Sequence, residues 1–404
     1  MFSKFRRIIR VLRATRISFR IPKRTPLVQI HKDGLDVLTQ YVERSLISVV
    51  DPSELNLWIL FQCLISRKFQ MKEYFARAIK AHRPRVVITF IDNDISFYQL
   101  KSLNSSPAYI AVQNGLRHNY AYDYRSGFVD HLLNAGGKDR LSADLICTFG
   151  KGSSLFFEKN IRTKTLVTGN LRNNSMELLI PHQVEYDIVF MSQHAPFDLA
   201  NRNEIFYLNE VSLSIQDFYK IESNVARFLA QYCKDHSLQF AVSGKRGPDE
   251  LFEQNFFSEA IENLPFTFLP KTDSRSSYAN AYNSKLVVVV DSTIGYELLS
   301  RGKKVAFFSA RQFEQQQRPD NGRDSCFGYP NAYPDTGAFW TNFPDPTEYT
   351  RILDSILEMT EAEWADQIQP YTEDLMAYRP DNKEFIQMLQ GEGISTRNEG
   401  SQRA

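Results

Sequence analysis

From about residue 25 onward the chain alternates short apolar runs with longer stretches of helical period. In the first half the spacing predicts strands at Leu27–His31, Leu46–Val50, Val86–Ile91, Ala108–Gln113, Leu145–Phe149 and Thr165–Thr168, with helices over Pro52–Ile65 and Met71–Ala81. The second half repeats the pattern, with strands at Asp187–Met191, Gln239–Val242, Thr267–Leu269, Leu286–Val290 and Val305–Phe308. A long helix is predicted from about Leu208 to Tyr232, and helices again from Thr360 to Leu389. Such alternation predicts an α/β fold of two doubly wound domains with mostly parallel sheets. The expected parts are an arm over 1–24, a first domain over 25–175, a second over 185–360, helices over 361–392 and a disordered tail over 393–404. The boundary falls in the polar stretch Arg172–Val184, and the last helices are expected to cross back to the first domain.

The segment Lys285–Ser309 is the most informative. Val287–Val290 reads as a fully buried strand. Asp291, Ser292 and Thr293 supply N-cap chemistry, Gly295 permits close backbone approach, and a helix runs on through Leu299 to a second strand. A loop that feeds a helix N-terminus in this way suits a diphosphate. It also reads as an ordinary capped helix between two core strands.

Composition narrows the class. No run approaches the ~18 apolar residues of a membrane span, and Leu55–Ile65, interrupted by Asn56 and Gln62, reads as a buried helix. The four cysteines lack metal spacing and read as reduced thiols, the expected location being cytoplasmic. The net charge of +1 hides an asymmetry. Residues 1–24 hold nine Lys or Arg and no acid, leaving 39 basic and 47 acidic residues in the remainder. A body that acidic argues against a general nucleic-acid partner. In the arm, Phe5, Ile8, Ile9 and Leu12 share one helical face opposite Arg6, Arg10 and Arg13. That pattern suits peripheral contact with an anionic membrane, on the inner face of the cytoplasmic membrane, or else a solvated arm.

In open α/β sheets ligands bind beyond the carboxyl ends of the strands, so the residues just after each strand carry the information. In the first domain these are Asp92, Asn93 and Asp94, then Gln113, Asn114, Gly115, Arg117 and His118. Asp92, Asp94 and His118 are the candidates for a general base. Asp92-Asn93-Asp94 also matches an Asp-x-Asp metal pattern, although no third ligand can be named. In the second domain Ser192, Gln193 and His194 follow one strand, and Ser243, Gly244, Lys245 and Arg246 the next. Lys245 and Arg246 suit a diphosphate, or form a solvated basic turn. Glu297, one turn into the helix after the diphosphate loop, is placed to accept hydrogen bonds from ribose.

The stretches TFIDND, VQNGLRHN, GNLRNN (Gly169–Asn174), VFMSQ and DSTIGYELLSRGKKVAFF give the chain a resemblance to bacterial surface carbohydrate biosynthesis proteins of lipopolysaccharide and capsule clusters. More distantly the second domain is similar to GT-B glycosyltransferases, capsule sugar transferases and nucleotide-sugar 2-epimerases. The resemblance implies two Rossmann-like domains facing each other across a cleft. It implies Ser292, Thr293 and Gly295 at phosphate and Glu297 at ribose. Ser192, Gln193, Lys245 and Arg246 are expected to complete the nucleotide-sugar site, with Asn93, Gln113, Asn114, Gly115 and Arg117 at the acceptor. The implied function is metal-independent transfer from a nucleoside di- or monophosphate sugar, without a further cofactor, to a glycan or lipid-linked glycan. The alternatives are a nucleotide-sugar 2-epimerase and an inert glycan-binding subunit. Gln317, Arg318, Pro319 and Asp320 echo the epimerase signature only loosely, which favours transfer.

Overall fold

The computed structural model describes residues 16–19, 21–67, 70–116, 121–122, 128–177, 184–194, 205–208, 211–311 and 326–397. Two six-stranded sheets, parallel throughout, organise the chain. The first contains β1 (Leu27–Ile30), β2 (Ile47–Val50), β3 (Val86–Thr89), β4 (Ala108–Val112), β5 (Ser142–Thr148) and β6 (Arg162–Val167), in the order β2-β1-β3-β4-β5-β6. The second contains β7 (Tyr186–Met191), β8 (Phe240–Ser243), β9 (Thr267–Leu269), β10 (Ser284–Val289), β11 (Val305–Phe308) and β12 (Trp340–Thr341), in the order β9-β8-β7-β10-β11-β12. The winding direction reverses between β1 and β3 in one sheet and between β7 and β10 in the other. These are the two places where an open sheet leaves a crevice at its carboxyl edge.

Both faces of each sheet are covered, which is why the central strands carry apolar side chains on both faces rather than on alternate positions. In the first sheet Val28, Ile30 and Val87 join the core on one face. Leu27, Val86 and Ile88 join the core on the other. The second sheet packs Val287–Val290 and Val305–Phe308 against the helices Lys220–Asp235 and Pro346–Glu358. Asp345 caps the latter by accepting from Thr347 N at 2.9 Å, with Pro346 opening the helix. A Thr360–Glu363 capping box starts the helix Glu361–Leu375. The chain then crosses back. Phe385 and Leu389, on the helix Lys383–Gly391, complete the first sheet's second core.

Three expectations need correction. The stretch before Tyr232 is not one helix. Ile205–Leu208 and Val211–Ser214 form an antiparallel pair that also meets Ala121–Tyr122, and the long helix begins at Lys220. The alternation in Val-Ser-Leu-Ser has the period of a strand. Pro52–Ile65 is helical only from Leu57, where Asn56 caps it by accepting from Trp58 N at 2.9 Å. That helix is not buried either, since Phe61, Leu64 and Ile65 are 60, 57 and 69% exposed. Lastly, the tail is packed as far as Arg397. Ile394 is buried, and Arg397 N donates to Tyr41 O at 2.7 Å. Residues 1–15 and 398–404 lie outside the described residues.

Candidate functional site

The carboxyl edges of the two sheets face one another. Phe149, directly after β5, packs into the second domain's core. Leu116 N, after β4, donates to the Thr293 hydroxyl after β10 at 3.4 Å. Between the edges lies a cavity of about 250 Å³, lined by Asp33, Gly34, Gln113, Asn114, Asn170, Arg172 and Glu297 among others. Gly34 has φ 76°, and a Cβ there would run into the Phe90 ring, so the wall needs glycine at this point.

On the first domain's side, the switch point holds a pair that the sequence pattern did not single out. His31, at φ 67°, ends β1, and its Nε2 lies 3.0 Å from Asp94 Oδ2. Asp94 also caps the helix Ile95–Leu103, accepting from Ser96 N at 2.9 Å and Ser96 Oγ at 2.6 Å. Burial pushes the Asp94 carboxyl up, but the hydrogen bonds from His31 and Ser96 outweigh it and hold the group below its ordinary value. Asp94 is therefore an ionised acceptor and a weak base. Facing an ionised carboxylate, His31 donates through Nε2.

Asp92 is fully buried and accepts the Asn114 N–H at 3.0 Å. Gln113 Oε1 accepts from Phe149 N at 2.8 Å, and its Nε2 donates to Gly115 O at 3.0 Å. Asp92 and Gln113 thus shape the loop after β4, which presents the exposed Asn114. Asn93 is exposed beside them. Arg117 and His118 lie outside the described residues, as do Gln317 to Asp320.

In the second domain a buried carboxylate organises the basic turn. Glu253 accepts from Lys245 N and Arg246 N, each at 3.0 Å, and from the Ser192 hydroxyl. Burial pushes Glu253 up, against these hydrogen bonds. Gly244 fits because a Cβ there would lie 2.7 Å from the Phe268 ring. Lys245 is exposed, and the buried Arg246 Nε has no hydrogen-bond acceptor among the described residues. Glu253 gave no sequence signal, since an acid in a helix's first turn normally reads as a dipole partner.

Gln193 Oε1 accepts from Asp291 N at 3.3 Å and so bridges the second switch point. Asp291 itself does not cap. It pairs with the buried Arg311, whose Nε reaches Oδ2 at 2.6 Å and Nη2 reaches Oδ1 at 3.1 Å. The same guanidinium pairs with Glu222 and lies 4.2 Å over the Phe218 ring. Ser292 holds the N-cap position of the helix Thr293–Ser300 without a side-chain cap bond. Gly295 serves packing: a Cβ would meet Val289 at 2.6 Å and Phe307 at 2.9 Å, so the glycine seats the helix on the sheet.

Glu297 is buried, but it faces the cavity and ties the domains together. Its carboxylate accepts from Asn170 Nδ2 at 2.6 Å and from the Tyr278 hydroxyl. Burial pushes its carboxyl up, while Tyr278, Arg172 and Arg301 oppose the shift. Asn173 Nδ2 donates to Glu297 O and Ser300 Oγ, both at 3.2 Å, and Arg301 Nε donates to Asn173 Oδ1 at 2.9 Å. The turn Gly169–Asn174 is thus the joint between the domains. Asn174 Nδ2 extends it to Asn382 Oδ1 at 2.7 Å, on the returning C-terminal segment.

The edges therefore bring Gln113, Asn114 and Glu297 to one cavity, with Leu116 touching Thr293. Ser192, Lys245 and Arg246 sit at the same edge of the second sheet. Among the described residues no group of three His, Cys, Asp or Glu is placed to hold a metal ion, and Asp92 and Asp94 point to separate partners.

Two solved structures share this fold at TM-scores of 0.50 and 0.51. A UDP-GlcNAc 2-epimerase from Neisseria meningitidis, solved bound to UDP-GlcNAc, is 10% identical with a TM-score of 0.50, over 90% of this chain and 99% of that one. The "putative UDP-N-acetylglucosamine 2-epimerase" from Listeria monocytogenes is 11% identical with a TM-score of 0.51, over 91% of this chain and 95% of that one. Sucrose-phosphate synthase from Thermosynechococcus elongatus is 13% identical with a TM-score of 0.46, over 91% and 98%. No curated protein sequence matches. A family profile described as "putative O-antigen biosynthesis protein" matches residues 110–393. The two facing parallel sheets make a GT-B-like fold, and the profile spans the whole second sheet and the last strands of the first, so the chain belongs to this O-antigen biosynthesis family, a GT-B-like protein of surface carbohydrate synthesis.

Proposed function

We propose that the chain transfers a sugar from a nucleotide-activated donor to a growing surface glycan, without a metal ion. The observation that carries this reading is the interdomain cavity, where Gln113, Asn114 and Asn170 from one sheet meet Glu297 from the other. The donor lies on the second domain. Its diphosphate rests at the N-terminus of the helix Thr293–Ser300, where the first backbone N–H groups and the dipole favour an anion. Lys245 and Arg246 add positive charge as the leaving group becomes more negative. Glu297 exchanges its Asn170 partner for ribose hydroxyls. On the first domain, His31 takes the acceptor proton at Nδ1 while the ionised Asp94 holds the ring at Nε2. The domains close over the cleft and exclude water.

The acceptor is a glycan, in the fuller form a lipid-linked one. Residues 1–24, with nine cations and no acid, add weak and salt-sensitive attachment to the inner face of the cytoplasmic membrane. A second reading, nucleotide-sugar 2-epimerase, draws on the fold of the Neisseria enzyme. A thermal-shift panel of UDP, CDP, GDP and CMP sugars identifies the donor, because a ligand of the native state raises the melting temperature by mass action. The donor is then incubated in D2O with EDTA. Donor turnover that requires acceptor supports transfer. Deuterium entering the sugar ring without acceptor supports the epimerase. Absence of any nucleotide binding leaves the inert subunit.

A further inference from the structure

The helix Leu57–Ile65 turns its largest apolar side chains outward. Phe61 is 60% exposed, Leu64 57% and Ile65 69%. The segment leading into the first domain adds Phe19 at 79% and Ile21 at 70%. Between them runs a groove of about 680 Å³, lined by Phe19, Trp58, Phe61, Leu64 and Met71 among others and by no charged side chain. A folded chain rarely leaves a contiguous apolar surface of this size to water unless something covers it.

The charge around the groove identifies the cover. An adjoining hollow shares Trp58 and carries Arg77, Lys80 and Arg83 without a carboxylate. The strand Arg16–Ser18 pairs in parallel with Glu54–Asn56, immediately before the exposed helix. That pairing holds Arg16 at this corner, and the Lys23 carbonyl lies 2.7 Å from His82 Nδ1, beside Arg83. Beyond residues 1–24 the chain is net acidic. A second copy docking the same face would bring cations against cations. An anionic leaflet takes both features at once, with acyl chains for the apolar row and phosphates for the basic rim. Trp58, between the two hollows, has the amphipathic ring favoured at a membrane interface.

We propose that this face is a bilayer-docking surface, which seats Phe19, Phe61, Leu64 and Ile65 in an anionic leaflet and sets Arg77, Lys80 and Arg83 on its headgroups. The surface stands on exposure and charge and holds whatever reaction the cleft performs.

The test uses the full chain with vesicles of phosphatidylcholine alone or with about a third phosphatidylglycerol, the anionic lipid supplying the charge attraction. The chain is expected to sediment with the anionic vesicles and to release as salt rises. The triple variant Phe61→Ser, Leu64→Ser, Ile65→Ser is expected to lose about tenfold or more in partitioning, because buried apolar area drives insertion. These side chains are exposed, so the variant keeps its fold. Lys80→Glu with Arg83→Glu is expected to weaken binding to anionic vesicles alone. Emission supplies a second readout. Trp340 and Trp364 are buried, and Trp58 is 39% exposed, so a blue shift on vesicle addition reports Trp58. Equal sedimentation of the triple variant would assign attachment to residues 1–15 alone and overturn the proposal. An unmoved emission, or a dimer broken by the triple variant in a chain that binds no vesicle, would overturn it as well.

Discussion

At the scale of single residues, the His31–Asp94 pair is the sharpest feature of the first domain. His31→Ala is expected to lower turnover by about 10²- to 10⁴-fold, the range of positioned acid–base groups, while donor affinity measured by calorimetry stays unchanged. Asp94→Asn is expected to lower turnover less and to shift the pH profile, since the ring loses its ionised partner. An unchanged rate for His31→Ala would remove it as the base. His194 supports a different prediction. Burial pushes it down to about 4, and its ring stacks on Phe256 with centroids 4.1 Å apart. A neutral buried imidazole stabilises the fold fully above its unfolded value of about 6.5, and that stability is lost as pH falls from there through the folded value. The added slope reaches at most about 1.4 kcal/mol per pH unit. Urea melts between pH 7 and 4 are expected to show it, and His194→Phe is expected to flatten it.

At the scale of elements, the loop from β10 to the helix Thr293–Ser300 is held by two devices, neither of them a cap. Arg311 joins the end of β11 to Asp291 and to Glu222 on the helix Lys220–Asp235. Arg311→Met leaves two buried carboxylates without their cation and is expected to cost about 3–5 kcal/mol in urea unfolding. The other device is Gly295. A Cβ would meet Val289 at 2.6 Å, so Gly295→Val must push the helix off β10. A cost of about 1–3 kcal/mol is expected from overpacking, together with weaker nucleotide binding because the helix N-terminus moves. Full affinity in a folded Gly295→Val variant would separate that helix from the site.

At the scale of the whole molecule, the cleft depends on a joint of asparagines. Asn170 caps the helix Leu171–Ser175, accepting from Arg172 N at 3.0 Å and Asn173 N at 3.1 Å, and also donates to Glu297. Asn170→Ala is expected to cost about 1 kcal/mol through the lost cap. It also frees one Glu297 oxygen. Glu297→Ala removes the carboxylate itself and is expected to weaken donor binding by about 1.5–3 kcal/mol, the worth of hydrogen bonds to a charged group. Calorimetry on the two variants distinguishes a joint that merely holds the domains from one that also meets the ligand. If both bind the donor as the unaltered chain does, the nucleotide does not lie against Glu297.

The alternation of buried strands and helical stretches determined the two doubly wound sheets, because period and β-branched runs are local properties of a chain. It also led to the carboxyl edges, and there to Gln113, Asn114, Thr293 and Glu297, since a parallel sheet puts its loops at predictable ends. Tertiary structure decided what each side chain does there. Asp92 turned inward to hold a backbone N–H, and Asp291 met Arg311 rather than the helix end. His31 and Asp94 are 63 residues apart, and no local pattern links residues that meet only when β1 lies beside β3. Glu253 became the post of the basic turn for the same reason. The apolar run Leu57–Ile65 shows the limit most plainly. Sequence fixes how hydrophobic a helix is, and only its packing decides whether the apolar side meets a core or the outside.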